Sequence, residues 1–250
     1  MQMKAYLINL DRCQDRLAAS KQELDAAGIP FERMRAVDGK TLTTEEVAQS
    51  CSRFGFLLAN GRRVKINELA CALSHQACYR AGLQSGEDYF AVFEDDLTVN
   101  AEAFAFAADL VAHENDPKRP MLWLLNHRNL VPDPGHPGSV RLLDTEDDVA
   151  HTWGAEGYVL NRAAAERILA VADPVRYVAD AWPTYARHGI DVRVVFPTAC
   201  AIRDTPSVIA RTVSGRGSWK WYQRFGWFKY RVCFWVDIFL WRLFQSRRFR

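Results

Sequence analysis

Short apolar runs alternate with amphipathic stretches through the first half of the chain. Residues 5–9 are strand-like, and 14–27 carry Leu17 and Leu24 on a helical period that Gly28 ends. A second strand is predicted over 31–36, closed by the turn signal Asp38-Gly39. A short helix over 44–49 has Thr43 or Thr44 as its cap. A longer helix over 67–82 places Leu69, Leu73, Ala77 and Ala81 on one face, with Asn67 as the expected N-cap and Glu68 in its first turn. Residues 89–93 form the central strand, 101–113 another helix and 121–125 another strand. Between 126 and 150, Pro132, Pro134, Gly135, Pro137 and Gly138 mark a long surface excursion of the kind that often carries function. Later come a strand over 154–160, an alanine-rich helix over 163–171 with Asn161 as its cap, and a strand over 191–196. No internal repeat is visible. This β-α-β order predicts an α/β sheet with helices on both faces.

The most informative strand is the one that ends in charge. Tyr89-Phe90-Ala91-Val92-Phe93 runs directly into Glu94-Asp95-Asp96. Three adjacent carboxylates repel one another unless solvent or a cation shares the charge. Acids after a strand are often only a solvated turn or a cap. A hard cation such as Mg²⁺, however, uses one or two carboxylates and leaves positions for substrate phosphates. The triplet therefore points towards a metal–diphosphate and a nucleotide-sugar substrate.

Composition leaves the globular picture intact. The 250 residues are 49% hydrophobic and 25% charged, enough chain for one large domain with or without an appendage. The apolar run after Met1-Gln2-Met3-Lys4 is too short for a secretion-signal core. Six scattered cysteines without a Cys-x-x-Cys pair read as reduced thiols in a cytoplasmic protein.

Charge divides the chain. The net charge is +2, yet residues 218–250 hold eight Lys or Arg against the single acid Asp237, a net +7, leaving −5 for the remainder. The same tail interleaves thirteen aromatics, among them Trp219, Trp221, Trp227, Trp235 and Trp241. Its longest apolar run, 232–241, is interrupted by Asp237, and a spanning helix needs about 20 apolar residues. Interfacial helices mix Trp, Phe and Leu with Lys and Arg, and anionic lipid attracts such segments. The reading is a globular body over 1–212 and a basic, aromatic, amphipathic helical tail over 213–250 that attaches to an anionic membrane surface. Packing of part of the tail on the body is the competing reading. Nucleic acid is disfavoured as a partner because the body is acidic.

Five patches carry a family resemblance. They are Tyr6-Leu7-Ile8-Asn9-Leu10-Asp11-Arg12 with Asp15-Arg16; Arg35-Ala36-Val37-Asp38-Gly39; Glu68-Leu69-Ala70-Cys71-Ala72-Leu73-Ser74-His75; Phe93-Glu94-Asp95-Asp96; and Gly157-Tyr158-Val159-Leu160 with Arg162-Ala163-Ala164. In their order and spacing they resemble glycosyltransferase family 25, the bacterial lipopolysaccharide and lipooligosaccharide transferases, over about residues 4–210. Asn67 stands where that family usually has Gly, a change at the turn before a helix. The resemblance implies a GT-A-like nucleotide-sugar-binding sheet, a UDP-sugar donor (often UDP-galactose) and inversion at the sugar carbon.

Roles for individual residues follow from this frame. Ligands of open α/β sheets sit beyond the carboxyl ends of strands, where Asn9, Asp11 and Arg12 lie. Asn9 and Asp11 can bond a base or ribose, and the planar fork of Arg12 or Arg16 suits phosphate. The basic loop Arg62-Arg63-Val64-Lys65 before a helix N-terminus suits a diphosphate, and equally a solvated turn. Ser74 and His75 join the donor-binding set through the family pattern. Asp96 is expected on Mn²⁺ or Mg²⁺, with Glu94 beside it and Asp95 turned inward to hold the loop. The general base that inversion needs is assigned to Asp180, with Glu156 as its rival and Asp204 a weaker third, and Trp182 is a candidate for stacking on a sugar. The expected protein is a cytoplasmic transferase on the inner face of the bacterial inner membrane, with a lipid-linked saccharide acceptor. Alternatives keep the fold with a protein or soluble glycan acceptor, or replace catalysis by membrane-surface binding.

Overall fold

The computed structural model describes residues 3–126, 137–141 and 153–203. The expected tail, the 212/213 boundary, Asp204 and most of the 126–150 excursion lie outside the described residues. Among those described, no helix is long and apolar enough to cross a membrane.

The chain forms β1 (Lys4–Asn9), α1 (Gln14–Ala26), β2 (Glu32–Arg35), α2 (Thr44–Ser50), α3 (Arg53–Asn60), α4 (Ile66–Ser85), β3 (Tyr89–Glu94), β4 (Leu97–Val99), α5 (Ala101–Glu114), β5 (Met121–Leu124), β6 (Gly138–Arg141), β7 (Gly157–Asn161), α6 (Arg162–Ala172), α7 (Trp182–Arg187), β8 (Asp191–Phe196) and β9 (Cys200–Ile202). Seven strands make one sheet in the order β2-β1-β3-β7-β5-β8-β6, and β4 pairs with β9 in a separate ribbon. Strands β2, β1 and β3 run parallel, as do β5 and β8, while β7 and β6 are antiparallel to their neighbours.

Period-two alternation sorts the side chains into two cores, one on each face. Tyr6, Ile8, Phe90, Val92, Leu122, Tyr158 and Leu160 pack with Ala164 and Ile168 of α6 and Trp182 and Tyr185 of α7. Ala5, Leu7, Ala91, Phe93, Trp123 and Val159 pack with Leu24 of α1 and Phe104 and Val111 of α5. The result is the three-layer α/β architecture with helices on both faces. A satellite core under α2 and α3 joins Phe56 to Leu69 of α4.

Local signals explain most boundaries. Thr43 closes a capping box with Glu46 at the start of α2. Asn161 caps α6 through Ala164 N–H and also accepts from Met121 N–H. The start of α4 differs from expectation: Lys65, not Asn67, is the N-cap. Glu68 accepts from the Lys65 backbone N–H at 3.2 Å, which draws the helix start two residues earlier. Asn67 instead presses against Gly39, where an added Cβ would lie 2.7 Å from its Oδ1.

Gly82 lets α4 lie directly on β3. A Cβ there would fall 2.2 Å from the ring of Phe90, which is fully buried and has no room to yield. We expect Gly82→Ala to cost about 1–3 kcal/mol by overpacking. In urea unfolding this would lower the midpoint at unchanged slope.

Candidate functional site

Sheet topology brings four strand ends to one place. Parallel pairing sets Ile8 against Glu94, so β1 and β3 end together. Antiparallel β7 begins where β3 finishes, with Gly157 opposite Phe93 and the Glu94 N–H donating to the Glu156 carbonyl at 3.0 Å. The Leu125 N–H donates to the Gly157 carbonyl and brings the end of β5 alongside. A cleft of about 580 Å³ opens over these ends, walled also by the loops before α2, α4 and α7. It lies beyond the carboxyl ends of the parallel strands, where open α/β sheets take ligands.

Of the expected site residues, Asn9, Arg12, Arg16, Ser74, His75, Glu94, Asp95, Asp96, Glu156 and Asp180 all line this cleft. Asp11 does not. It is exposed on the outer side, ion-paired with Arg33 and Arg35 at 2.7 and 2.6 Å.

The acidic triplet divides into three environments. Asp95 is buried, accepts from Asn9 Nδ2 at 2.6 Å and pairs with Arg16 at 2.7 Å. Its backbone carbonyl accepts from Ser20. Asp95 thus holds the loop. Asp96 shares the same Arg16 nitrogen at 2.6 Å, but its Oδ1 is buried with no hydrogen-bond partner. Burial first, and then the charge of Glu94, push the Asp96 carboxyl up to about 6, although Arg16 pulls the other way. One monovalent cation is therefore too little for this cluster. Glu94 is only partly buried, accepts at 3.1 Å from His75 Nε2 and approaches the Cys71 thiol.

His75 is 1% exposed, and both its ring nitrogens are engaged. Nδ1 contacts the Tyr158 hydroxyl at 2.7 Å, and that hydroxyl contacts Tyr79 at 2.8 Å. The ring therefore stands behind Glu94 and fixes its direction. Ser74 is likewise structural in its contacts: Oγ donates to the Ala70 carbonyl and accepts from the Val37 N–H. It stitches α4 to the strand-end loop at Val37-Asp38-Gly39.

Among the described residues, the three-donor set converging within 4.8 Å is Cys71, His75 and Glu94 rather than the triplet. Its sulfur and imidazole suit softer cations. Burial and the surrounding carboxylates push the Cys71 thiol well up, which keeps it protonated and a poor ligand. Oxygen chemistry for a hard cation is offered by Asp96 with Glu94, and the orphaned Asp96 Oδ1 is the atom a divalent ion would satisfy.

The basic wall comes from Arg12, Arg62 and Lys65. Arg12 pairs with Asp38, and Arg62 forks on Glu68 at 2.6 and 3.0 Å. Both guanidinium groups are thus oriented at the cleft edge. Asp38 and Glu68 are partners that the sequence reading did not single out. Their positions in the second and third sequence patches were the available signal.

Across the cleft, Asp180 accepts from the Gly154 N–H at 3.0 Å, and burial raises its pKa above the usual carboxylate value. Glu156 is 2% exposed and accepts from Asn126. Trp182 is not available to a sugar. It is fully buried, its Nε1 donates to the Gly154 carbonyl at 2.7 Å, and its ring meets Tyr158 edge-on. The exposed indole in the cleft is Trp153, which no periodicity marks in the sequence.

The chain is 26% identical over 171 residues to the lacto-N-neotetraose biosynthesis glycosyltransferase LgtE of Neisseria meningitidis serogroup B, covering 65% of this chain and 58% of that protein. It is 27% identical over 177 residues to procollagen galactosyltransferase 1-A of Xenopus laevis, covering 66% of this chain and 28% of that one. The chain thus spans less than two thirds of the length of these relatives. Among solved structures, the galactosyltransferase LgtC in complex with donor and acceptor sugar analogues aligns with a TM-score of 0.42 at 12% identity, over 82% of this chain and 88% of that one. The family model for glycosyltransferase family 25, described as an LPS biosynthesis protein, matches residues 2–182, which takes in every strand end and carboxylate of the cleft described above. This chain belongs to glycosyltransferase family 25.

Proposed function

We propose that the chain transfers a hexose, with galactose the expected one, from a UDP-sugar to a saccharide of lipopolysaccharide or lipooligosaccharide, with inversion at the sugar carbon. The observation that carries this reading is the opposition of charges in one cleft. Arg12, Arg62 and Lys65 form a cationic wall suited to a diphosphate, and the Asp96 carboxylate, with its unpartnered buried oxygen, lies on the floor. Glu94 and Asp96 would hold Mn²⁺ or Mg²⁺, which when bound neutralises the charge that develops on a leaving diphosphate. Asn9, Ser74 and His75 keep the donor end in shape, and Arg16 balances Asp95 and Asp96.

Inversion by single displacement requires a base facing the acceptor hydroxyl, on the far side from the diphosphate. Asp180 fits this role through its raised pKa, which makes it a better proton acceptor near neutrality. Glu156, deeper and tied to Asn126, positions the floor. The basic aromatic segment 213–250 would hold the enzyme to the anionic cytoplasmic leaflet, beside a lipid-linked acceptor.

The test is incubation with UDP-galactose, Mn²⁺ and detergent-solubilised lipooligosaccharide, with soluble glycan and protein acceptors in parallel. The expected product is the lipid-linked glycan heavier by one hexose, its new anomeric centre opposite to that of the donor. Transfer to protein alone would overturn the acceptor assignment, and retained anomeric configuration would overturn the role of Asp180.

A further inference from the structure

Four large hydrophobic side chains are exposed among the described residues: Phe54, Val140, Trp153 and Ile202. Two of these four, Trp153 and Ile202, line the cleft. Beside its charged groups the cleft is lined by small and aliphatic side chains such as Ile8, Leu10, Val37 and Val178, and the 44% exposed indole of Trp153 is the one Trp, Tyr or Phe ring among its described lining residues. Exposed indole is costly in water and is enriched where a partner covers it.

The segment carrying Trp153 is held firmly. The next residue, Gly154, adopts φ +106°, a conformation that glycine tolerates. Its N–H donates to Asp180, and its carbonyl accepts from the buried Trp182. Two hydrogen bonds to packed groups therefore fix the backbone directly after Trp153, while the ring itself remains open. Glu156 follows three residues after Trp153 in the same segment.

We propose that Trp153 is the acceptor platform: its indole covers the apolar face of a pyranose ring whose hydroxyls point towards Asp180. A pyranose presents C–H groups on one face and hydroxyls around its rim. A flat aromatic beside hydrogen-bonding carboxylates is the matching surface. This assignment rests on the reading of Asp180 as the base, because the hydroxyl to be deprotonated must lie within hydrogen-bond reach of that carboxylate. The same geometry disfavours the donor's uracil as the stacked group. The donor's diphosphate belongs with the cationic wall and carries its uracil to that side, whereas Trp153 is tied through Gly154 to the Asp180 side.

Direct binding tests this without requiring turnover. The probes are a soluble oligosaccharide released from lipooligosaccharide by mild acid, titrated into the metal-free protein, and UDP-galactose titrated separately with Mn²⁺. Trp153→Ala should weaken oligosaccharide binding by about tenfold or more, and Trp153→Phe by much less, with the UDP-galactose Kd unchanged in both. Unchanged melting temperatures would show that the exposed ring was not supporting the fold. Equal oligosaccharide affinity in wild type and Trp153→Ala, or no oligosaccharide binding by the wild type, would overturn the proposal. So would a parallel loss of UDP-galactose affinity, which would place the stack on the base. Failure of the wild type to bind UDP-galactose would sink the donor reading alone, because a Trp153-dependent oligosaccharide affinity would still stand.

Discussion

Asp96→Asn should reduce transfer by about a thousandfold or more, the scale of losing a preorganised charge at a developing anion. It should do so while leaving the protein at least as stable. The reason is the strain recorded in this carboxylate. Burial and the neighbouring Glu94 raise its pKa to about 6 against the pull of Arg16. A carboxyl whose folded pKa lies above its unfolded one loses stability as pH rises between the two. Above pH 6 the wild type carries that cost in full whenever no cation is bound, and asparagine removes it. Arg16 retains Asp95 as a partner at 2.7 Å. Thermal unfolding in EDTA at pH 7.5 should therefore show a melting temperature equal to or above wild type in the inactive variant. A marked fall would mean that Asp96 is a structural member of the Arg16 pair instead. Activity lost together with a stability gain is the signature of a site held at the fold's expense.

The second large effect belongs to Asp180. Asp180→Asn preserves an oxygen to accept the Gly154 N–H but cannot take a proton. The kcat should fall by a factor of about 10²–10⁴ while the Kd for UDP-galactose stays at its wild-type value. The pH profile carries a sharper expectation. The base works deprotonated, so the rate is present above its pKa and falls as pH drops through it. Burial raises that pKa, so the acid limb of kcat/KM should lie above the range of an ordinary aspartate. The variant's residual activity should lack that limb. Should Glu156→Gln, rather than Asp180→Asn, remove the limb, the two carboxylates exchange roles.

Much of this was legible in the sequence because strands and their exits leave strong local signals. The run from Tyr89 to Phe93 is apolar on both faces and ends in charge, which marks a central strand and its carboxyl end together. Asn161 and Gly28 announced helix boundaries through capping and left-handed backbone, respectively. Residues that depend on long-range contacts were less legible. His75 reads from the sequence as a donor ligand, and its contacts were not legible there: Tyr158, from a distant strand and itself bonded to Tyr79, engages Nδ1 while Nε2 meets Glu94. Trp182 looked available because it follows Asp180, but the short helix α7 turns its ring into the core. Helix α3 was missed: Gly55 interrupts its apolar pattern, and its core partner Leu69 belongs to α4. The β4–β9 ribbon joins segments about a hundred residues apart, a pairing no local pattern encodes.

The central claim is that this cleft binds a nucleotide-sugar through a divalent cation held at the exit of β3. Calorimetric titration of UDP-galactose into the wild type and Asp96→Asn, each with Mn²⁺ and with EDTA, tests it most directly. The expected result is tight binding by the wild type with Mn²⁺ only, and equally weak binding in the other three titrations. Metal-independent binding of equal affinity in both proteins would contradict it.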